Sequence, residues 1–578
     1  MTVLTALARA AAATTGRALP AKTVRHVHLS GRPLVLVAAK LAGEACAPLA
    51  VLVGDDREKP HLLAVYEPRD RTQRFEFAAD LAAIMLPAID RHVEEDGPGE
   101  RADPYQDGPQ LLVPNQPTAE FVRLLGRSTR FRKTDGPYAV PAAVPLLGRW
   151  LTYFAERGEV TPSAQLLSMT AVLGDHWATG QSAVEDANLA ALLGWIDPPE
   201  GMTGPAAARA AEDPVRCPPA GPVTDPSFDN EVLEPILQAI RTERESQARA
   251  AVPGLRSEGA TKERPPRVEG RAPAPGLRSE GATKERTSDE GGGRGPERPE
   301  ASGKTLSDEG GHGGSSAPEA SAGSTARAAM DHAVRSQLEP TWALMWRAVD
   351  LLNALPAAAH VEQRWLSDRW SFTNQVAWIR DGGAPQARRD SAVAAARRLA
   401  RLEREQQRLA VERAYDDPLV MAEYRMTGEA FAGEVVEADE ARLDTWSGKR
   451  PVLRPLVTVA TNDEVLFEPG AVLRSPARPG QQATVIARTP GGSAVRAGAV
   501  RAGRGTTVVL ELKGGMGRSL TPPPGSVPAV GEHVTYTSLR DDFQPAAKFP
   551  DITETPWTHG GPPPEYVPDD EDAREDWS

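Results

Sequence analysis

Between Ala251 and about Thr325 the chain is low in complexity and carries few apolar residues. Such a stretch cannot bury enough surface to offset the entropy of ordering it. Whatever folds must therefore be built from the sequence on either side. Within it, Pro253–Arg264 (PGLRSEGATKER) recurs as Pro275–Arg286, with a period of 22 residues. A solenoid repeat needs an apolar face to stack on its neighbours, and this one has none. The reading is a duplicated disordered linker, with a tandem peptide-binding motif as the functional alternative.

Periodicity organises the remainder. Residues 1–95 predict a small α/β unit, with strands over Pro33–Leu41, Pro48–Gly54 and Leu62–Tyr66. A helix follows over Phe75–Glu94, where Leu81, Ile84, Met85 and Ile89 keep helical spacing and Pro87 predicts a kink. Residues 96–117 read as a linker and 118–250 as a helical domain. Past the low-complexity stretch, residues 326–450 return to helix. They hold Trp342, Trp346, Trp365, Trp370 and Trp378, all expected in the core, and a long charged helix over Ala387–Tyr415. Ala395, Leu399, Leu402, Gln406 and Leu409 give that helix a coiled-coil-like seam. In residues 451–540 the period becomes that of strands. Candidates are Leu456–Ala460, Glu464–Phe467, Ala471–Arg474, Ala483–Arg488, Thr506–Leu512 and His533–Leu539, which together predict a small β-barrel. Residues 541–578 form an acidic, Pro-rich tail. The fold class expected is multidomain α+β.

The net charge of −13 argues against binding nucleic acid through the overall field. Local clusters then matter more than the sum. Two distant cysteines, Cys46 and Cys217, make neither a disulfide framework nor a zinc pair, which fits a cytoplasmic protein. No apolar run is long enough for a membrane span.

Lys513-Gly514-Gly515-Met516-Gly517-Arg518-Ser519 resembles the phosphate loop of ParA-type ATPases, K-G-G-x-G-K-[ST]. Two departures count against it. Arg518 stands where a compact lysine charge is needed, and Pro522-Pro523-Pro524 forbids the helix whose N-terminus would face the phosphates. A glycine-rich barrel turn is expected instead.

The layout of residues 1–95 also resembles PD-(D/E)xK nucleases, with Asp55, Asp56 and Glu67 as the magnesium-binding acids in that alternative. Arg69 replaces the expected lysine and cannot take a proton from water. His26 and His28 share a strand face if extended, but lack a third ligand, so no metal is assigned. Without the magnesium of the nuclease alternative, no cofactor is expected.

Two basic clusters are candidates for nucleic-acid contact. Arg123, Arg127, Arg130, Arg132 and Lys133, with Phe131 between them, would sit at a helix end and in the loop beyond. Arg397, Arg401, Arg404 and Arg408 line one face of the long helix, with Glu403, Glu405 and Glu412 interspersed. A solvated face is the alternative for both.

The order of the last third, a long charged helix entering a small barrel with Asp463-Glu464-Val465-Leu466 and Pro528-Ala529-Val530-Gly531-Glu532-His533-Val534, resembles the stalk-and-barrel accessory region of superfamily 1 helicases of the nonsense-mediated-decay helicase group. That resemblance implies a nucleic-acid-gripping accessory working with a protein motor, since no motor motif is present. The acidic tail, with Trp577 near its end, resembles in chemistry the partner-recruiting tips of single-stranded DNA-binding proteins. The expectation is a non-catalytic binding or adaptor protein. A nuclease is one alternative, and a protein-interaction scaffold without nucleic acid is the other.

Overall fold

Two apolar runs, Leu34–Lys40 (β1) and Pro48–Gly54 (β2), form the centre of a five-stranded sheet. They are buried on both faces, as continuous apolar strands must be. The computed structural model describes residues 3–40, 47–94, 103–215, 217–218, 223–250, 319–445, 451–489, 505–540, 548 and 550–554. The sheet is completed by His61–Ala64 (β3), Leu111–Val113 (β4) and Leu166–Ser168 (β5), in the order β3-β2-β1-β4-β5. β1, β2 and β3 are antiparallel neighbours, whereas β4 and β5 run parallel to β1.

This sheet corrects the expected division of the first half. β4 falls in the stretch read as a linker, and β5 in the stretch read as purely helical. Both have three residues, too few to display the two-residue period by which a strand is recognised.

One face of the sheet packs on Arg71–Glu94 (α1), Gln116–Thr129 (α2) and Ala143–Gly158 (α3). α1 offers Phe75, Ala78, Ala82, Met85 and Ile89 at spacings of three and four, all buried, and continues through Pro87. β5 leads into Met169–His176 (α4).

Beyond the low-complexity stretch come Glu319–Asn353 (α5), Val361–Arg380 (α6), Ala392–Asp416 (α7) and Pro418–Met426 (α8). Phe372 and Val376 of α6 belong to the same core as β1, β4 and α1–α3. The helices after the stretch therefore complete the core begun before it. Contact density gives one unit of residues 1–239 with 326–578, and a second of residues 240–325. The second unit holds the end of the helix Glu234–Ala250 and the start of α5. The duplicated segment itself lies outside the described residues.

Trp342, Trp346 and Trp365 are core residues as expected, but Trp370 and Trp378 are 37% and 53% exposed. On α7 the heptad-like seam is buried at Leu409 and open at Leu399. No helix among the described residues is long and apolar enough to cross a membrane.

The barrel is closed and has six strands: Ala430–Asp439 (β6), Leu456–Thr461 (β7), Val472–Ser475 (β8), Arg478–Thr489 (β9), Thr506–Lys513 (β10) and His533–Thr537 (β11), ordered β7-β10-β9-β8-β11-β6. Alternate residues, among them Phe431, Val457, Val485, Leu510 and Tyr536, fill the interior. The first strand, β6, lies in sequence read as helix, and the expected strand at Glu464–Phe467 is absent. In the opening after β10, Gly514, Gly515 and Gly517 all have φ between +67° and +75°. Those left-handed positions explain the glycines. No helix follows them before β11, and Met516 is buried in the barrel core.

Candidate functional site

α2 is launched by its N-cap: Asn115 Oδ1 accepts from the Thr118 backbone N–H at 3.2 Å and from its hydroxyl at 2.9 Å. It then crosses α3 at two glycines. A Cβ on Gly126 would come 2.7 Å from the backbone nitrogen of Thr152, and one on Gly148 would come 2.3 Å from that of Arg130. This close crossing delivers Arg130, at the end of α2, against the flank of α3.

Arg130 and Arg149 then hold the loop between α6 and α7. Arg130 donates to the carbonyls of Gln386 at 2.9 Å and Ala387 at 3.1 Å, and Arg149 donates to that of Gly383 at 2.8 Å. Arg132 donates to the Ser128 carbonyl at 2.8 Å. Phe131 carries Arg130 at 4.7 Å and Arg388 at 5.2 Å from its ring centre, and Phe75 carries Arg132 at 5.2 Å.

The result is an open cavity of about 340 Å³. Arg130, Arg132, Lys133 and Arg149 contribute its charge, and Phe131, Pro145, Leu146 and Pro385 its apolar surface. No carboxylate is among the described residues that line it. Glu156 is an acid within electrostatic range of Arg130; burial pushes its carboxyl up, while Arg398 and Arg130 pull it down.

Of the first predicted cluster, then, Arg130, Arg132 and Lys133 share one cavity. Arg127 is exposed on the last turn of α2, and Arg123 is paired with Glu120. Sequence reasoning missed Arg149, which no local cluster marks, and Arg388, which arrives from the far side of the low-complexity stretch.

The second cluster is placed differently. Arg401 and Arg408 line a smaller cavity of about 240 Å³ with Arg157, Arg364 and Trp370. There the cations meet acids. Arg408 pairs with Glu405 at 2.9 Å and Glu412 at 3.3 Å, Arg364 with Glu412 at 2.7 Å, and Arg157 with Asp368 at 2.6 Å. Arg397 is exposed and Arg404 half-buried on the same helix.

Asp55, Asp56 and Glu67 are not brought together. β2 and β3 pair antiparallel, with Val53 opposite His61 and the Val65 N–H bonded to the Leu49 carbonyl. Asp55 thus lies past the Gly54 end of β2, and Glu67 leaves from the Pro48 end. Seven residues of strand, about 20 Å, separate those ends. Asp55 instead accepts from Arg91 at 2.7 Å and Arg32 at 3.0 Å, and Asp56 accepts from the Glu58 N–H. One magnesium ion cannot bridge that span, so the nuclease geometry is absent. Trp577 lies outside the described residues.

A third cavity, of about 540 Å³, opens beside β5 and the starts of α2 and α4 and is lined by His26, His176, Asp175 and Arg413. Its charges are internally matched: Arg413 with Asp175, Arg123 with Glu120, and Glu159 with Arg398. His176 Nδ1 faces the Val172 carbonyl at 2.7 Å, and its Nε2 accepts from the His26 backbone N–H at 3.1 Å. That arrangement requires a neutral ring. Burial lowers its pKa to about 4. His28 instead stacks on Trp365, with 4.1 Å between ring centres; neither it nor His26 lies on a strand, and the two do not converge on a metal. Burial also lowers His28 to about 4.

These depressed histidines contribute stability above an unfolded pKa near 6.5, which is lost as pH falls toward 4. The thermal midpoint is expected to fall between pH 6.5 and 4, with His176 alone accounting for about 3 kcal/mol. A melt series across that range checks it, and His176→Gln should flatten the decline.

Compared with known protein families, curated proteins and solved structures, the chain matches none.

Proposed function

We propose that this is a non-catalytic binding or adaptor protein that holds the phosphate backbone of a nucleic acid on the cavity between α2, α3 and the α6–α7 loop. The observation that carries the reading is the cavity's lining, to which Lys133 and Arg149 and the largely buried Arg130 and Arg132 contribute and no described carboxylate does. Phosphates are met by the charges. The net charge of −13 is not an obstacle, because fields are screened beyond about 8 Å at physiological salt. At contact range the local lining decides. In the same reading the exposed cations of α7 extend the track, and the barrel helps to grip the nucleic acid alongside a motor partner, as the accessory-region resemblance implies.

Binding of a single-stranded oligonucleotide across a salt series tests this. The logarithm of affinity should fall linearly with the logarithm of salt, by about 0.7 per phosphate contact. Lys133→Ala removes one cation of the lining, and should lower that slope by about 0.7. No retention on heparin or on single-stranded DNA at low salt would overturn the proposal. Capture of a protein partner without any polyanion affinity would replace it with the scaffold reading.

A further inference from the structure

We propose that the open edge of β5 is a docking groove for an extended, uncharged peptide segment of a partner protein, which joins the sheet there as a further strand. The proposal goes beyond the polyanion cavity and does not rest on it.

β5 ends the sheet in the order β3-β2-β1-β4-β5, so only one of its sides is paired. The ladder fixes which peptide groups are left over. Leu111 of β4 lies opposite Leu166, and its N–H donates to the Gln165 carbonyl at 2.8 Å. A residue in a parallel ladder bonds to the two neighbours of the residue it faces, so Gln165 and Leu167 turn their peptide groups to β4. Leu166 and Ser168 turn theirs the other way. Among the described residues, nothing accepts from the N–H groups of Leu166 and Ser168, and nothing donates to the Leu166 carbonyl. Yet the two residues are only 7% and 9% exposed. Peptide groups so withdrawn from solvent are almost always paired. Water can meet this donor, acceptor and donor singly. An extended main chain meets all three in register and buries side chains as it does so.

The room for it is the third cavity, of about 540 Å³. All three residues of β5 line it. Successive strand side chains point to opposite faces, so a space that touches all three lies at the edge and not over one face. Ala119 of α2, Ala155 of α3, Val172 of α4 and Leu409 of α7 supply apolar wall. The charges of the lining are already matched: Arg123 with Glu120, Arg413 with Asp175 and Glu159 with Arg398. A charged occupant would have to compete with one of these pairs. The segment that fits is therefore uncharged, with β-branched or apolar side chains that favour the extended form.

The test uses the full-length chain and a phage-displayed library of random heptapeptides, counter-selected against Ser168→Pro. Ser168 has a φ of −85°, near the range of proline, and its N–H takes no part in the ladder. The ring therefore removes the donor and projects into the groove while the sheet is kept, which an unchanged thermal midpoint checks. Ala171→Phe, at an exposed position of α4 that lines the cavity, fills the groove independently and serves in its place if the proline variant melts early. Uncharged peptides that bind the unaltered chain at least about tenfold more tightly than either variant are expected. N-methylation along a selected peptide should weaken binding at every second residue, the period of a paired strand. Failure to enrich any peptide against the variants overturns the proposal. Sensitivity to N-methylation without that period overturns the strand pairing, and enrichment of acidic or basic peptides overturns the uncharged occupant. A dimer of the unaltered chain that Ser168→Pro makes monomeric assigns the edge to a second copy and overturns the partner.

Discussion

Asp417→Ala is expected to destabilise the protein by about 3–4 kcal/mol, the range seen when a buried carboxylate is removed from its donors. Asp417 is wholly buried. It accepts from the Thr23 N–H at 2.8 Å, the Thr23 hydroxyl at 2.9 Å and the Leu419 N–H at 2.9 Å, and it caps α8. His26 Nε2 stands 3.4 Å away. Burial alone would raise this carboxyl, but His26, Thr23 and Leu419 overcome it and hold it well below the usual carboxylate range. Removing the side chain therefore takes the acceptor from three partly buried donors at once, and loosens the joint between the N-terminal segment and the helices that enter the barrel. Denaturant titration of the variant measures the loss, and Asp417→Asn, which keeps one acceptor oxygen, should fall between the two. A change under about 1 kcal/mol would show that the network is not what ties these segments together. The linkage has a sign. A depressed carboxylate stabilises above its unfolded pKa near 3.9, so this contribution disappears as pH falls below that value.

Gly148→Ala is expected to damage both stability and polyanion affinity. The added Cβ would lie 2.3 Å from the Arg130 nitrogen and 2.7 Å from its Cα, both backbone atoms that cannot rotate away. α2 and α3 must separate, at a cost of about 1–3 kcal/mol. Because Arg130 sits at the point of contact, the separation also moves the residue that fastens the α6–α7 loop to the cavity. Oligonucleotide affinity should fall with the thermal midpoint. Gly174→Ala on α4 is the control: nothing lies within 4 Å of its added Cβ, and its stability should hold or rise by a few tenths of a kcal/mol. If both variants bind the oligonucleotide like the unaltered chain, the helix crossing does not position the site.

Much of the element content was legible because it rests on local repetition. Five of the six expected barrel strands form, and Pro48–Gly54 matches to the residue. The barrel's first strand escaped because Ala430–Asp439 carries Glu434 and Glu437 on its outer side and follows a helix without a strong break. At the candidate site, the run from Arg127 to Lys133 drew notice by density of charge. Its meaning was hidden, because the partners that shape it are Gln386, Ala387 and Arg388, more than 250 residues away.

By itself, the sequence determined which segments could carry a period and which could not, and it argued against a phosphate loop, since three consecutive prolines cannot continue a helix. Only the tertiary structure decided that Leu111–Val113 and Leu166–Ser168 are strands, that Phe372 closes the core begun by Leu34, and that Asp55 and Glu67 stand at opposite ends of a hairpin. Periodicity is a property of neighbours along the chain. Register, burial and the convergence of charges depend on residues that meet only when the chain has folded.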